Sequence, residues 1–356
     1  YDTSNNKKRQ STVVGKVLLT GGAGYIGSHT FVALQDAGYD PVILDDFSNA
    51  KKSVLDRIKL ICQRSEIECH QVDVRDSDAI FEILNQGGFV AAVHFAAKKA
   101  VGESVEKPLD YIDINCTGLL SLLKAMGRAE VFNLVFSSSA TVYGDQEIIP
   151  IPETATRSYA SPYAFTKLMG EQILEQVGDA DPRWSFGTLR YFNPAGAHAS
   201  GMIGEDPADI PNNLMPYIAK VATGEFEHLS VFGDTYNTHD GTGVRDYIHV
   251  MDLADAHVKS LKTLQKNSIS HAINIGTGTG YSVLDMLAAY GRAVGKTLPH
   301  KIAPRRDGDV DTLLGEVEKA EEVIGFKTRY DLDEICASSW HWINTGAVQA
   351  AKEDNS

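Results

Sequence analysis

An apolar run, Lys16–Thr20, passes directly into Thr20-Gly21-Gly22-Ala23-Gly24-Tyr25-Ile26-Gly27, and a stretch of helical periodicity follows. No other feature of the chain constrains its fold so tightly. Glycines at 21, 24 and 27 between a strand and a helix serve three ends: a tight turn, close approach of the backbone to a ligand, and close packing of helix on strand. A helix that starts there presents free N–H groups and a partial positive charge, which suits a pyrophosphate. Asp45-Asp46 ends the next apolar run. A carboxylate at that place accepts from ribose hydroxyls and repels a 2′-phosphate. The pattern predicts a dinucleotide site for NAD rather than NADP, built on Gly21, Gly24, Tyr25, Ile26, Gly27, Asp45 and Asp46.

The first half of the chain repeats the same alternation. Strands are expected at Lys16–Thr20, Pro41–Leu44, Ile67–Gln71, Val90–Phe95, Asn133–Ser137 and Phe186–Arg190, with helices at Gly27–Ala37, Ser53–Cys62, Ser77–Asn85, Tyr111–Met126 and Tyr163–Val177. Short apolar runs alternating with amphipathic ones imply an α/β fold, a doubly wound parallel Rossmann-type sheet with its ligand crevice at the carboxyl ends of the strands. Asp73-Val74 and Phe95-Ala96-Ala97 follow the third and fourth strands, which places them at the adenine and along the cofactor wall. After Asn193 the alternation gives way to loops rich in Gly, Pro and Asn. The expected division is a leader (1–14), an NAD-binding domain (15–193), a smaller mixed α/β region for the substrate (194–345) and a tail (346–356). One late strand, Ala272–Ile275, fits either unit.

Composition narrows the partners. With 47 acidic against 33 basic residues, the chain is not built for nucleic acid or an anionic membrane. No apolar run reaches the roughly 18–20 residues that span a bilayer. Four cysteines without a CxxC pair suit reduced thiols and a cytoplasmic setting, and eleven histidines without an HExxH pattern argue against a metal.

Chemistry concentrates further along. Ser137-Ser138-Ser139-Ala140-Thr141 ends the fifth strand, beside the crevice. Tyr163 and Lys167 lie four residues apart in an expected helix and so share one face. A free phenol, with a pKa of about 10, is too weakly acidic to serve as a base at neutral pH. An ammonium nearby, with the positive nicotinamide ring of NAD, favours the phenolate. Ser139 or Thr141 then hydrogen-bonds the substrate hydroxyl and relays the proton.

These residues sit within longer strings: TGGAGYIGSHT from Thr20, KAVGES from Lys99, FSSSATVYGD from Phe136, RYFNP from Arg190, IPNNLMPYI from Ile210 and RDYIHVMDL from Arg245. On these strings the chain resembles the extended short-chain dehydrogenase/reductases, and within them the UDP-galactose 4-epimerase family, from about Lys16 to near Trp342. The resemblance implies a 4-epimerase of UDP-hexoses, in galactose metabolism, that works through a 4-keto sugar and assembles as a homodimer on helices of the first domain. It makes Tyr163 the base, Lys167 its partner and ribose anchor, and Ser139 the group that positions the sugar. It adds Asn49, Lys99, Asn115, Ser137 and Tyr191 to the cofactor contacts, with Lys99 also near the substrate. For the UDP-sugar it implies Phe192, Asn193, Asn213, Leu214, Val231, Phe232, Arg245, Arg306 and Asp309, with Leu313 as a wall of the hexose pocket.

The chain departs from the family pattern at Ala50, Lys98, Ile114 and Ala164-Phe165-Thr166. A sister activity, dehydration, needs an acid and a base where this chain has Ala140 and Thr141. A non-catalytic NAD sensor would be expected to have lost Tyr163 or Lys167, and both are present. A reductase with net NADH turnover differs in releasing its cofactor each cycle.

Overall fold

The computed structural model describes residues 14–206, 213–306 and 309–345. All but the last residue of the expected leader, the expected tail, and residues 210–212 lie outside them.

The strands are β1 (Lys16–Thr20), β2 (Asp40–Asp45), β3 (Cys69–Gln71), β4 (Phe89–His94), β5 (Asn133–Ser137), β6 (Ser185–Tyr191), β7 (Asn193–Ala195), β8 (Leu229–Phe232), β9 (Val244–His249), β10 (His271–Ile275), β11 (Gly280–Ser282), β12 (His300–Ala303) and β13 (Thr312–Leu313). Helices α1 (Tyr25–Asp36), α2 (Ser53–Ile61), α3 (Ser77–Leu84), α4 (Val101–Glu106), α5 (Pro108–Ile112), α6 (Gly118–Arg128) and α7 (Pro162–Ala180) belong to the first half. They are followed by α8 (Leu214–Thr223), α9 (Val250–Asn267), α10 (Val283–Val294), α11 (Glu318–Ile324) and α12 (Leu332–Asn344). No helix among the described residues is long and apolar enough to cross a membrane.

Seven parallel strands form the main sheet in the order β10-β6-β5-β4-β1-β2-β3. Alternate residues of one strand serve opposite faces. Val17 and Leu19 pack on the face covered by α1 and α9, whereas Leu18 packs on the face covered by α3, α6 and α7. Both faces are buried, so the strands read as unbroken apolar runs. The strand order reverses at β1 and β4, which opens the crevice beside the glycine loop.

Three expectations changed. The ambiguous late strand joins the main sheet as its edge, because Ile273 and Ile275 bury in the same cluster as α1 and α9. The expected helix Tyr111–Met126 is interrupted by a π-helical turn, Asp113–Thr117, between α5 and α6; the wider turn accompanies Asn115 facing inward. Helix α4, for which no pattern had been assigned, fills the segment after Lys99. A separate core forms after Asn193, in which α8, α10 and α12 meet β7, β8 and β9 through residues such as Met215, Ile218, Val231, Tyr247 and Tyr290.

Candidate active site

The three glycines have distinct surroundings. Gly21 adopts φ 67°, and a Cβ there would lie 2.7 Å from Ala96 N, so the loop after β1 rests on the backbone after β4. A Cβ on Gly27 would run into Gly21 O and come within 2.7 Å of Gly22 Cα. Gly24 is the N-cap of α1, and a Cβ on it would meet only Gly21 O at 3.2 Å, which leaves its other side open. The first turn of α1 carries no side-chain cap and no acidic residue, so its positive end is unopposed. These features fit a pyrophosphate.

The carboxylates at or just after the ends of β2 and β3 differ in burial and in what holds them. Asp45 is buried and accepts from Ala23 N at 3.0 Å and Phe47 N at 2.9 Å, which ties the glycine loop to the end of β2. Burial raises its pKa above the ordinary carboxylate value. Asp46 and Asn49 are exposed, and Asp46 accepts from Ser48 N at 2.9 Å. Asp73 is gripped by Arg75 and held below the usual carboxylate range by those bonds. Val74 is buried against Gly118, where a Cβ would collide with it. Asn115 lends both ends of its amide to the Lys98 backbone, at 2.8 and 3.0 Å, and also donates to Thr166 Oγ1 at 2.9 Å. It therefore steadies the segment that carries Ala97 and Lys99.

Helix α7 opens on Ser161, whose Oγ accepts from Ala164 N at 3.2 Å, with Pro162 in the first turn. That start fixes Tyr163 and Lys167 toward the end of β5. The Ser139 hydroxyl lies by the Tyr163 hydroxyl, where it favours the phenolate, and accepts from Thr141 Oγ1 at 3.0 Å. The Lys167 ammonium donates to Ser137 O at 2.8 Å and lies 5.9 Å from the Tyr163 ring centroid. Burial disfavours both charged forms: Tyr163 is pushed up to about 12, with the nearby Ser139 hydroxyl pulling the other way, and Lys167 is pushed down to about 8. The ammonium's hydrogen bond goes to Ser137 O rather than to the phenol. Burial raises Tyr191, with the neighbouring Ser137 hydroxyl pulling the other way.

The remaining positions converge from distant segments. Asn193 on β7, Asn213 at the N-cap of α8, and Leu214 line a cavity of about 30 Å³ together with Glu205 and Tyr247. Asn213 Nδ2 donates to Glu205 Oε1 at 2.6 Å, and Lys99 Nζ lies 3.7 Å from the same oxygen. Glu205 and Tyr247 were not singled out from sequence. An acidic group just upstream of the Asn213 string was the available signal. A larger cavity, about 240 Å³, lies beside His198, His249 and Tyr330 and shares no lining residue with this one.

Phe192 is buried and packs on Gly315. The Arg306 guanidinium stacks 3.8 Å from the centroid of the exposed Phe232 ring, while Val231 beside it is buried. Arg245 pairs with Asp309 and donates to Val310 O at 3.0 Å. Leu313 on β13 sits opposite Arg245 on β9 and packs against Val142, Tyr143, Ile151 and Leu168. Val142 and Leu168 are the chain neighbours of Thr141 and Lys167, so Leu313 packs on residues adjoining both.

The departures from the family pattern find local partners. Lys98 reaches Glu103 at 3.4 Å, Phe165 packs edge-on against Tyr159, and Thr166 donates to Tyr163 O at 2.8 Å.

A model of the NAD dependent epimerase/dehydratase family matches residues 17–276. The chain belongs to that family and is an NAD-dependent enzyme. It is 53% identical to a UDP-glucose 4-epimerase of Yersinia pestis over 327 residues, 92% of this chain and 96% of that one. It is 48% identical to the human UDP-glucose 4-epimerase over 334 residues, again 92% and 96% of the two chains. Among solved structures, the UDP-glucose-4-epimerase of Stenotrophomonas maltophila with bound NAD and formylated UDP-arabinopyranose superposes with TM-score 0.91 at 46% identity, covering 96% of this chain and 99% of that one. The Bifidobacterium longum UDP-glucose 4-epimerase in complex with NAD+ and UDP gives TM-score 0.86 at 44% identity, covering 92% and 97%.

Proposed function

We propose that the chain interconverts UDP-galactose and UDP-glucose by reversible oxidation at carbon 4 of the hexose, in galactose metabolism. The observation that carries this is the grouping of Tyr163, the Ser139 hydroxyl beside it and Lys167 one turn further on, at the carboxyl end of β5 beside the glycine cradle.

NAD would be held by the glycine loop, the N-terminus of α1, and Asp45, Asp46, Asp73 and Lys167; when bound it supplies a reversible hydride acceptor. Tyr163 takes the proton of the 4-hydroxyl and later returns it, with Ser139 holding that oxygen in line. Phe232 and Arg306 grip the uracil end, and Arg245, Asn213 and Asp309 the diphosphate and ribose. The 4-keto hexose, held loosely, turns over and presents its other face. Arginine suits this anchoring because its planar donors match phosphate oxygens in pairs.

Two further features belong to the same reading. Val101, Val105, Leu109, Ile112 and Leu120 form an exposed apolar series along α4, α5 and α6, which supports a homodimer through those helices. All four cysteines are unpaired, which supports a cytoplasmic enzyme. Leu313 is smaller than a tyrosine yet larger than a serine, so plain UDP-hexoses are the main substrates and UDP-N-acetylglucosamine is converted slowly. A solved relative from Campylobacter jejuni, a UDP-Glc/GlcNAc 4-epimerase, is 33% identical with TM-score 0.81.

The test is to incubate the purified protein with UDP-galactose and no added cofactor. UDP-glucose should form catalytically. A requirement for stoichiometric NADH, with no UDP-glucose formed, would overturn the proposal and favour a reductase.

A further inference from the structure

Tyr163 and Lys167 share their face of α7 with a third residue, Glu171, one turn further on. Glu171 is 2% exposed. Its carboxylate accepts from Ser138 Oγ at 2.6 Å, from Arg190 Nε at 2.9 Å and Nη2 at 2.7 Å, and from Arg157 Nη1 at 3.0 Å. Arg190 also donates to the Tyr143 hydroxyl at 3.0 Å, and that hydroxyl donates to Asn274 Oδ1 at 2.6 Å. Apart from Arg157 the network is buried, and it joins the residue after β5 to β6, β10 and α7.

Its placement matters more than its strength. Ser138 lies between Ser137, whose carbonyl takes the Lys167 ammonium, and Ser139, whose hydroxyl lies by that of Tyr163 and favours its phenolate. Tyr143 closes the short helical turn that Ser139 caps and Thr141 opens into. Both contacts that matter for proton transfer therefore cross one gap, between α7 and the end of β5. Glu171 spans that gap directly through Ser138, and a second time through Arg190 and Tyr143. A buried ion pair is weak evidence for stability, and its best-attested use is to fix one arrangement against others. Catalytic geometry tolerates little misplacement, so such a fixture acts on rate.

We infer that Glu171 is a positioning residue for the proton transfer, holding the segment Ser137–Tyr143 in register with Tyr163 and Lys167. The inference rests on Tyr163 being the base.

Ser138→Ala is the cleanest test, because it deletes one hydrogen bond and leaves the Glu171–Arg190 pair whole. With UDP-galactose as substrate, kcat should fall about tenfold while KM and UDP affinity stay within about twofold. The rising limb of the kcat–pH profile should move to higher pH, since Ser139 favours the phenolate and a loosened Ser139 favours it less. The groups facing Tyr163 are Lys167 on its own helix, Ser139, Tyr111 on α5 and Tyr191 on β6, and none of them is altered. Glu171→Gln should lose about a hundredfold in kcat, and Glu171→Asp should recover part of it. A Ser138→Ala enzyme with wild-type kcat and pH profile overturns the inference, as does one in which kcat, UDP affinity and melting temperature fall together. Should Glu171→Gln fail to fold, Ser138→Ala decides. Tyr163→Phe run alongside separates the two levels: turnover retained there removes the base itself, whereas turnover lost there with Ser138→Ala unaffected removes only the positioning role.

Discussion

Lys167→Met exchanges a buried ammonium for an apolar side chain of similar length, and the structure sets the sign of its effect on stability. Burial lowers the lysine from 10.5 to about 8. The unfolded chain therefore binds more protons than the folded one between those values, and wild-type stability rises with pH across that window. Below pH 8 the folded state carries the full penalty of the buried charge. Removing it gains about 3 kcal/mol at pH 7, shrinking to about 1 kcal/mol near pH 9.5. Against this stands the bond from Lys167 Nζ to Ser137 O. Its loss leaves a buried carbonyl without that donor and costs about 1–2 kcal/mol at any pH. The expected net is a gain of about 1–2 kcal/mol at pH 7 that vanishes or reverses by pH 9.5. Turnover should be abolished, so the lysine is retained against stability. Urea unfolding of both proteins at pH 7, 8 and 9.5 measures the difference, with NAD content matched because a bound cofactor adds its own stabilisation. A variant less stable than wild type at pH 7, or a difference that does not change with pH, would refute the reasoning.

Tyr163→Phe should lower turnover by at least about two orders of magnitude while UDP binding survives, as steady-state rates and calorimetry would show. Gly27→Ala drives a methyl into the backbone of Gly21 and Gly22 and should lower stability by about 1–3 kcal/mol in thermal melts. Gly24→Ala meets only Gly21 O, so its melt should match that of NAD-free wild type while NAD retention, followed by absorbance after gel filtration, is lost. Purified protein should carry NAD through dialysis, and UDP-hexose alone should reduce part of it, visible as NADH absorbance. Leu313→Tyr should remove N-acetylhexosamine activity selectively and Leu313→Ser should raise it, by about 1–3 kcal/mol in discrimination; an unchanged activity ratio in both variants would exclude Leu313 as the gate.

Local pattern carried much of this protein. Apolar runs such as Val17-Leu18-Leu19 announced strands covered on both faces, and the spacing of Gly21, Gly24 and Gly27 announced the cradle, because both depend only on neighbours along the chain. Tyr163 and Lys167 were legible for the same reason, since one helical turn brings them together. Contacts between distant segments were not legible. Nothing near Ile273 says that β10 closes the edge beside β6, and nothing near Leu313 says that it packs on Val142 and Leu168. Glu205 meets Asn213 and Lys99 only once the segment between β7 and α8 comes against the one after β4. Glu171 reads as one more charge on a long helix until Arg190 and Ser138 arrive from the sheet. The protonation of the site was decided there too. Tyr163 and Lys167 sit beside each other in any helix, but their pKa values depend on how completely β4, β5 and β6 exclude water from them. Desolvation is a property of all the atoms packed around a group, and helical spacing cannot encode it.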